Sequence, residues 1–390
     1  MRNLVVRRPG TGGGEGAPAV VIQGHVDIVC EKNSDTVHDF FTDPLKLRTD
    51  GPWLKATGTT LGSDNGIGVA TALALLDLPA TQKLPPLECL FTVDEETGLT
   101  GAFELDASML TGRTMLNLDT EEWGALYVGC AGGGDSTLTL ARDLEPAPAG
   151  LEALELRLTG LMGGHSGCNI HEYRGNGVIM GARVVKKLLG ELGADSLRLA
   201  SFRGGDKRNA IPREAFATVL VAPARRAAAE AVVAAELAAL KLEYGAKEAN
   251  LKLDLAAADA TPEQCLGQGA AQALLDLVTA LPNGPQKFSH AVEGLVETST
   301  NVASVKLAGD DLAVTCSTRS SLQVPLENVR DQIRTLATLC GAKAVVQDEA
   351  YPGWAPNLDS EVLGVAKDVL GEVLGKEPEV LAIHAGLECG

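Results

Sequence analysis

Three short apolar runs in the first third of the chain are predicted to be β-strands. They lie at residues 19–23, 87–93 and 114–118. A strand that is apolar at nearly every position is typical of a sheet whose two faces are covered by helices. A glycine-punctuated loop and a predicted helix at 67–78 separate the first two runs. Strands that alternate with helices predict an α/β domain, here with a mixed, mostly parallel sheet.

The start of the chain is predicted to form a hairpin. Residues 3–7 have the composition of a short strand, residues 10–17 are rich in glycine, and the apolar run at 19–23 follows. Two strand patterns joined by a glycine-containing segment favour this arrangement.

The pattern changes after Gly132. Strands with alternating polar and apolar residues follow, together with an amphipathic helix at 177–189 and an alanine-rich helix at 223–240. This mixture predicts a separate α+β domain. Towards the end, the pattern resembles the first part again, so we predict one domain inserted into another. The outer domain comprises residues 1–132 and 345–390, and the inserted domain comprises residues 133–344.

The charge balance argues against two classes of partner. The chain carries 33 Lys+Arg against 51 Asp+Glu, a formal net charge of −18, whereas nucleic acids and anionic membranes bind basic surfaces. No apolar stretch approaches the ~20 residues that span a bilayer, and no signal segment opens the sequence. The eight cysteines are scattered singly, as is typical of free thiols in a reducing compartment. We therefore expect a cytoplasmic protein.

Histidine and acidic side chains follow the predicted strands. His25 and Asp27 come after the first run, and the two-residue period of a strand places both on the same side. Glu95 and Glu96 follow the second run, and Asp119 follows the third. Taken singly, these residues also fit explanations without a functional role: a chance His-x-Asp pair and exposed acidic turns. An imidazole with a nearby carboxylate also suits a metal ligand and the group that orients it.

Asp64 lies at the start of the predicted helix, within the segment LGSDNGIG at 61–68. By itself it fits a helix cap, since a carboxylate accepts hydrogen bonds from the first backbone amides of a helix. The glycine spacing and the lack of a preceding strand argue against a phosphate-binding loop.

These separate features are expected to meet in one place. Ligands of open α/β sheets bind outside the carboxyl ends of the strands, so His25, Asp64 and the acidic groups should converge on one crevice. The chain has only six histidines and no paired cysteines. An imidazole with several carboxylates and no thiolate suits Zn, Mn or Co in a two-metal hydrolytic site. The sequence therefore favours a metal-dependent hydrolase.

Longer segments resemble one family. GHVDIV, GTTLGSDNGIG, TVDEETG and NLDTEE are similar to segments of the aminoacyl-histidine dipeptidases (Xaa-His dipeptidases, peptidase D), within the aminoacylase/carboxypeptidase clan of two-metal peptidases. The resemblance continues through GLMGGHSG, KRNAIPREAFAT, VETSTNVASV, AYPGW and IHAGLECG. It covers nearly the whole chain. It implies that the outer domain is catalytic and that the inserted domain is a lid that also mediates dimerisation.

The resemblance also implies roles for individual residues. The metal ligands would be His25, Asp64, Glu96 and Asp119, with Asp64 bridging two divalent ions; Zn is expected, with Mn or Co as alternatives. Asp27 would orient the site. Glu95 would be the general base, which takes a proton from the metal-activated water and delivers it to the leaving amine.

Residues of the inserted domain are implied to bind the substrate. His165 resembles the lid imidazole that stabilises the oxyanion in this clan, which a partner chain supplies in dimeric relatives. Arg319 matches the position that grips the terminal carboxylate of the substrate, and Asn209 is a further candidate for the same pocket. His384 lies in the IHAGLECG segment and is not assigned as a metal ligand. A homodimer is expected.

The activity implied is hydrolysis of unblocked dipeptides, preferentially Xaa-His dipeptides such as β-alanyl-histidine. One alternative is a related N-acyl-amino-acid deacylase or aminopeptidase. Another is an inactive paralogue that serves as a binding or dimerisation module. Relatives extend beyond both ends of this sequence and carry a last metal-binding histidine in the later extension, so the resemblance implies a truncated chain.

Overall fold

The computed structural model describes residues 3–390, which form two compact units. Residues 3–127, 358–381 and 387–389 make up the first unit. Residues 128–357, 382–386 and 390 make up the second. Among the helices of the described residues, none is both long and apolar enough to cross a membrane.

The helices and strands follow one another along the chain. Up to residue 130 they are β1 (Leu4–Arg8), β2 (Val20–His25), β3 (Leu47–Asp50), β4 (Trp53–Ala56), α1 (Ser63–Leu76), β5 (Leu87–Thr92), α2 (Thr100–Phe103), β6 (Thr114–Asn117) and β7 (Ala125–Cys130). The next are β8 (Gly132–Ala141), β9 (Glu145–Pro146), β10 (Glu152–Thr159), β11 (Gly164–His165), α3 (Gly177–Leu192), β12 (Leu197–Gly204), β13 (Ala210–Ile211), β14 (Ala215–Val221), α4 (Arg226–Tyr244), β15 (Lys252–Ala257) and β16 (Gln264–Cys265). The last are α5 (Gln268–Ala280), β17 (Gly284–Phe288), β18 (Val296–Ala308), β19 (Asp311–Ser320), α6 (Gln323–Leu339), β20 (Ala344–Gln347), α7 (Glu361–Leu374) and β21 (Glu379–Ile383).

The first unit is built on a four-stranded sheet with the order β1-β5-β2-β6. Strand β2 runs parallel to β5 and β6, whereas β1 is antiparallel to β5. Every residue of β5 is buried, and β2 is buried after its first residue. These are the near-continuous apolar runs of the sequence, which need cover on both faces. Helix α1 packs beside β2, with Ala72 in the same core cluster as Ile22, Cys89 and Phe91.

The predicted hairpin at the start of the chain is wrong. Strands β1 and β2 do not pair, because β5 lies between them. The glycine-rich segment serves a different purpose: Thr11 exchanges backbone hydrogen bonds with Leu84, both at 3.0 Å. A Cβ on Gly14 would lie 2.2 Å from the Leu84 carbonyl oxygen. The glycines therefore allow a close approach to a distant segment and do not form a tight turn.

The second unit is an antiparallel sheet with helices packed against it. Its strand order is β15-β10-β14-β12-β18-β19-β8-β20, and β17 also pairs with β18. The largest core cluster joins alternate residues of these strands, such as Leu156 and Val219, to α3 residues such as Val184 and Leu188. The predicted fold class, an α/β domain with a second α+β domain, is confirmed. The domain boundaries at 132/133 and 344/345 stay a prediction.

The topology of the first sheet positions the candidate site. Strands β5, β2 and β6 are parallel neighbours, and their carboxyl ends meet at one edge. In the register of the sheet, His25 lies opposite Thr92, and Gln23 lies opposite both Leu90 and Asn117. The segments that carry the predicted metal ligands leave the sheet at this edge.

Candidate functional site

His25, the last residue of β2, is the centre of the first group of residues. Its side chain is 1% exposed, and its Nε2 lies 2.9 Å from Asp64 Oδ1 and 3.5 Å from Asp119 Oδ1. On the other side of the ring, Nδ1 lies 3.0 Å from the backbone oxygen of Asp27. The structure thus brings together residues from β2, the start of α1 and the segment after β6.

Asp27 holds the two neighbouring glutamates in place. Its Oδ1 accepts a hydrogen bond from the backbone amide of Glu95, and its Oδ2 accepts one from Glu96, both at 3.1 Å. One carboxylate therefore fixes the turn that follows β5. From this turn both side chains reach the His25 ring, and the ligand atoms of Glu95 and Glu96 lie within 4.8 Å of each other.

Asp64 does not act as a helix cap. The residue at the N-cap position of α1 is Gly62, and the Asp64 carboxylate contacts His25. The peptide bond between Asp64 and Asn65 is cis. The sequence allowed Asp64 to be either a helix cap or a member of the cluster around His25. The structure shows the contact with His25.

Asn65 belongs to the site, although the sequence did not single it out. Its buried Nδ2 donates to the Leu118 carbonyl and to Asp119 Oδ1, both at 2.7 Å. A Cβ on Gly24 or Gly68 would lie 2.2 or 2.4 Å from Asn65 Oδ1, so both glycines are needed to admit this side chain. Its only sequence signal is its place between Asp64 and Gly66 in a glycine-rich motif.

A row of hydrogen-bonded polar side chains runs across neighbouring strands of the same sheet. Asn117 donates to Gln23, and Gln23 Nε2 donates to Glu388 Oε2 at 2.5 Å. Thr92 Oγ1 donates to the same carboxylate oxygen at 2.7 Å. Asn117 Oδ1 in turn accepts the backbone amide of Asp119 at 3.1 Å. Gln23 and Asn117 could have been found as polar residues in apolar strands, whereas Glu388 lies far away in the sequence.

Two overlapping sets of side chains could hold metal ions. His25, Glu95 and Glu96 form one set, and His25, Asp64 and Asp119 form the other; within each set the ligand atoms lie within 4.8 Å of one another. Burial by itself lowers the pKa of His25, but hydrogen bonds and charges from Asp119 and Asp64, helped by Glu95, raise it to about 10. Clustered carboxylates around one imidazole are the donor set that divalent cations such as Zn²⁺ or Mn²⁺ prefer.

The clustered carboxylates also change the pKa values of Glu95 and Glu96. Burial and the carboxylates of Asp119, Glu388 and Glu96 raise the pKa of Glu95 to about 7, although His25 favours the ionised form. Burial and the Asp64 carboxylate also raise the pKa of Glu96. A bound cation would relieve both effects, so the residues present fit a metal centre.

His165 lies in the second unit, in the two-residue strand β11. Its Nδ1 accepts backbone amides from Gly167 at 3.2 Å and from Cys168 at 3.0 Å. Because Nδ1 is an acceptor, the proton of the neutral ring is on Nε2. Burial and the charge of Arg319 lower the pKa of His165, which keeps the ring neutral. Asn209 contributes through its backbone, whose carbonyl accepts the Ser166 amide at 2.8 Å.

Arg319, in β19, is buried rather than part of a surface salt bridge. The residue is 8% exposed. Its Nη1 donates to the Tyr351 hydroxyl at 3.2 Å, and its Nε has no hydrogen-bond partner within residues 3–390. Across the same residues it forms no ion pair with a carboxylate. A buried guanidinium of this kind has the charge and the free donors that suit an anion.

His384 is a further buried residue of the second unit. Its Nε2 lies 2.7 Å from Ser299 Oγ, and its Nδ1 has no partner in the part of the chain that the structure describes. Burial, together with the charge of Arg319, lowers its pKa to about 3. The ring is therefore neutral at physiological pH.

Replacing Asp27 tests whether its hydrogen bonds hold the backbone of Glu95 and Glu96 in place. In Asp27→Asn, one backbone amide of the pair at Glu95 and Glu96 faces an NH₂ group instead of an oxygen. We expect the affinity for Zn²⁺, measured by competition with a chromogenic chelator, to fall by about 10- to 100-fold. The exposed Asp35 provides the control Asp35→Asn, which should bind like the unmodified protein. Equal affinity in both variants would contradict the assigned role of Asp27.

His384 should make the protein sensitive to acid. The native state keeps this ring neutral down to a pKa of about 3, whereas the unfolded chain binds a proton near 6.5. Unfolding therefore takes up a proton between these values, and stability falls as pH falls from 6.5 towards 3. In the variant His384→Gln, the free energy of unfolding should depend less steeply on pH, by up to about 1.4 kcal/mol per pH unit.

Urea unfolding at several pH values between 7 and 4.5 measures this difference. The matched control is His290→Gln, because His290 is exposed. If the free energy of unfolding changes equally with pH in His384→Gln and in the unmodified protein, His384 is not the cause of the acid sensitivity.

Comparison with known proteins adds the family. The family described as a peptidase dimerisation domain matches residues 156–248. The cytosol non-specific dipeptidase of Escherichia coli (strain K12) is 42% identical over 390 residues, which cover 100% of this chain and 79% of that protein. The crystal structure of aminoacylhistidine dipeptidase from Vibrio alginolyticus is 41% identical, with a TM-score of 0.86 over 100% of this chain and 78% of that chain. This chain therefore belongs to the family of these dipeptidases, hydrolases that act on peptide bonds within the M20 peptidases.

Proposed function

We propose that the protein is a metal-dependent dipeptidase that hydrolyses unblocked dipeptides, preferentially Xaa-His dipeptides of the β-alanyl-histidine type. The observation that carries the proposal is the buried His25, surrounded by carboxylates that form two overlapping ligand sets. The name of the Vibrio relative supports the preference for a C-terminal histidine. The name of the Escherichia coli relative supports a broader range of dipeptides at the same site.

The proposed cofactor is a pair of divalent ions, most simply Zn, with Mn or Co as alternatives. His25 and Asp119 would hold one ion, Glu96 the other, and Asp64 both. Bound at this site, such ions supply Lewis-acid activation of water and of the peptide carbonyl. The geometry supports the grouping of His25, Asp64 and Asp119, because Asp64 Oδ1 and Asp119 Oδ1 both lie within 3.5 Å of His25 Nε2.

Glu95 is the proposed general base. Its carboxylate lies within 4.8 Å of the ligand atoms of His25 and Glu96, within reach of a water at the proposed metal centre. It would accept a proton from the attacking water and return it to the leaving amine. Asp27 would position it through the backbone amide.

Residues of the second unit are proposed to bind the substrate. Arg319 would receive the terminal carboxylate, because it is a buried cation with a hydroxyl partner. His165, whose Nε2 carries the proton, would donate a hydrogen bond to the oxyanion that develops on the scissile carbonyl. Asn209 is proposed as a further residue of the substrate pocket, and its backbone carbonyl accepts the amide of Ser166, the residue after His165.

We further propose a homodimer in the cytoplasm. Residues 133–344 would act as a lid and dimerisation domain, inserted between the catalytic segments 1–132 and 345–390. The match to a peptidase dimerisation domain at 156–248 supports the assembly. The cytosolic relative supports the location.

Release of histidine from β-alanyl-histidine tests the activity. We expect hydrolysis that EDTA abolishes and that added Zn²⁺, Mn²⁺ or Co²⁺ restores. The variant Glu95→Gln should bind metal but lower kcat by roughly 10²- to 10⁴-fold. Activity confined to N-acylated amino acids would favour a deacylase instead. A folded sample that releases no histidine with any of these metals would favour a non-catalytic binding module.

Sedimentation equilibrium tests the assembly. The chain mass is 40.5 kDa, and we expect a species of twice this mass over a wide range of protein concentration. A single species at the chain mass would overturn the homodimer.

A further inference from the structure

Glu248 is a buried acid that the proposed chemistry does not use. It is 3% exposed and ends the short 3₁₀ helix Gly245–Glu248, which follows α4. A buried carboxylate is costly unless hydrogen bonds compensate for the lost water. The position of Glu248 therefore depends on what its two oxygens accept.

Both oxygens accept backbone amides from one loop. Oε2 accepts the amide of Met162 at 2.7 Å, and Oε1 accepts that of Gly175 at 2.8 Å. The loop between β10 and α3, residues 160–176, is called here the His165 loop, because His165 lies between these two amides. A single carboxylate thus joins the two ends of the segment that carries His165.

The His165 loop needs such an anchor. Gly160, Gly163 and Gly164 all have positive φ, at 79°, 66° and 143°. Glycine reaches these conformations readily but also has the most conformational freedom to lose on folding. The middle of the loop is held by the pairing of β11 with β13, and its two ends are held by Glu248. Ionised acceptors form the stronger class of hydrogen bonds, so the Glu248 carboxylate is a suitable tie.

Within the loop, local hydrogen bonds connect the anchored backbone to the imidazole ring of His165. Asn169 Oδ1 accepts the His165 amide at 2.9 Å, and Arg174 donates to the Gly163 carbonyl at 2.5 Å. The His165 Nδ1 accepts two amides of the same loop. These bonds fix the ring relative to the loop. Glu248, together with the pairing of β11 with β13, fixes the loop relative to the rest of the unit.

We propose that Glu248 is a positioning residue for His165. By holding the Met162 and Gly175 amides, it keeps the loop in the conformation in which His165 Nδ1 is an acceptor and Nε2 carries the proton. The inference rests on the proposed function only for its effect on hydrolysis, and its effect on the imidazole can be measured independently.

The chain offers a matched control for a purely structural role. Glu88 is also 3% exposed, and its Oε2 accepts two backbone amides, those of Thr111 at 2.8 Å and Gly112 at 2.9 Å. It lies on β5 of the first unit, whereas the His165 loop belongs to the second unit. Glu88→Gln therefore removes the same kind of interaction at another place.

The first experiment is NMR spectroscopy of the full chain labelled with ¹⁵N-histidine. His165→Ala identifies the ring signals of His165, which we expect to show the Nε2–H tautomer in the unmodified protein. In Glu248→Gln these signals should move towards an average of both tautomers, whereas Glu88→Gln should leave them unchanged. Unchanged signals in Glu248→Gln would overturn the proposal. Where Glu248→Gln does not fold, Glu248→Asp, which keeps the charge but has a shorter reach, gives the same comparison.

The second experiment is a double-mutant cycle on the hydrolysis of β-alanyl-histidine. Glu248→Gln should lower kcat on the order of tenfold with little change in KM, because a misplaced catalytic group costs rate. In the His165→Ala background the same substitution should cost less than about twofold. An equal loss in both backgrounds would overturn the proposal. Full activity of His165→Ala would instead remove the proposed role of His165 in the chemistry, and the NMR result would then decide on Glu248 alone.

Discussion

Negative charge gathered around one buried imidazole is the constraint on which the first unit depends. The carboxylates of Asp64, Asp119, Glu95 and Glu96 all have oxygens within a few Å of the His25 ring. Like charges at this spacing repel one another, and burial adds the cost of lost hydration. The raised pKa values of Glu95 and Glu96 express that cost. Such a cluster persists only if its backbone is held firmly and if cations can compensate for its charge.

The backbone is held by groups that carry little extra charge. Asn65 donates its amide protons to the segment that bears Asp119, and Asn117 accepts the Asp119 amide. Asp27 is the exception, because it adds a carboxylate, but both its oxygens are occupied by backbone amides. These hydrogen bonds join the loops to strand ends whose spacing is set by the parallel register. The loop conformations therefore follow from the sheet.

Local pattern predicted the residues at the strand ends but not the groups that hold them. His25 and Asp119 could be placed because apolar runs mark buried parallel strands and ligands gather at their carboxyl ends. The hairpin prediction failed because the glycine-rich segment serves contacts with Leu84, some seventy residues along the chain. Glu388 and Glu248 were missed for the same reason: their partners Gln23 and Met162 lie 365 and 86 residues away. A single sequence carries no local signal for such pairs.

The surroundings of His165 and His384 in the second unit are positively charged, unlike those of His25. Arg319 is a buried cation, and burial with its charge keeps His165 and His384 neutral by lowering their pKa values. A neutral ring with its proton fixed on Nε2 donates most strongly where negative charge develops. Besides its own proposed role in binding the substrate carboxylate, the buried Arg319 therefore favours the protonation state that the proposed role of His165 requires.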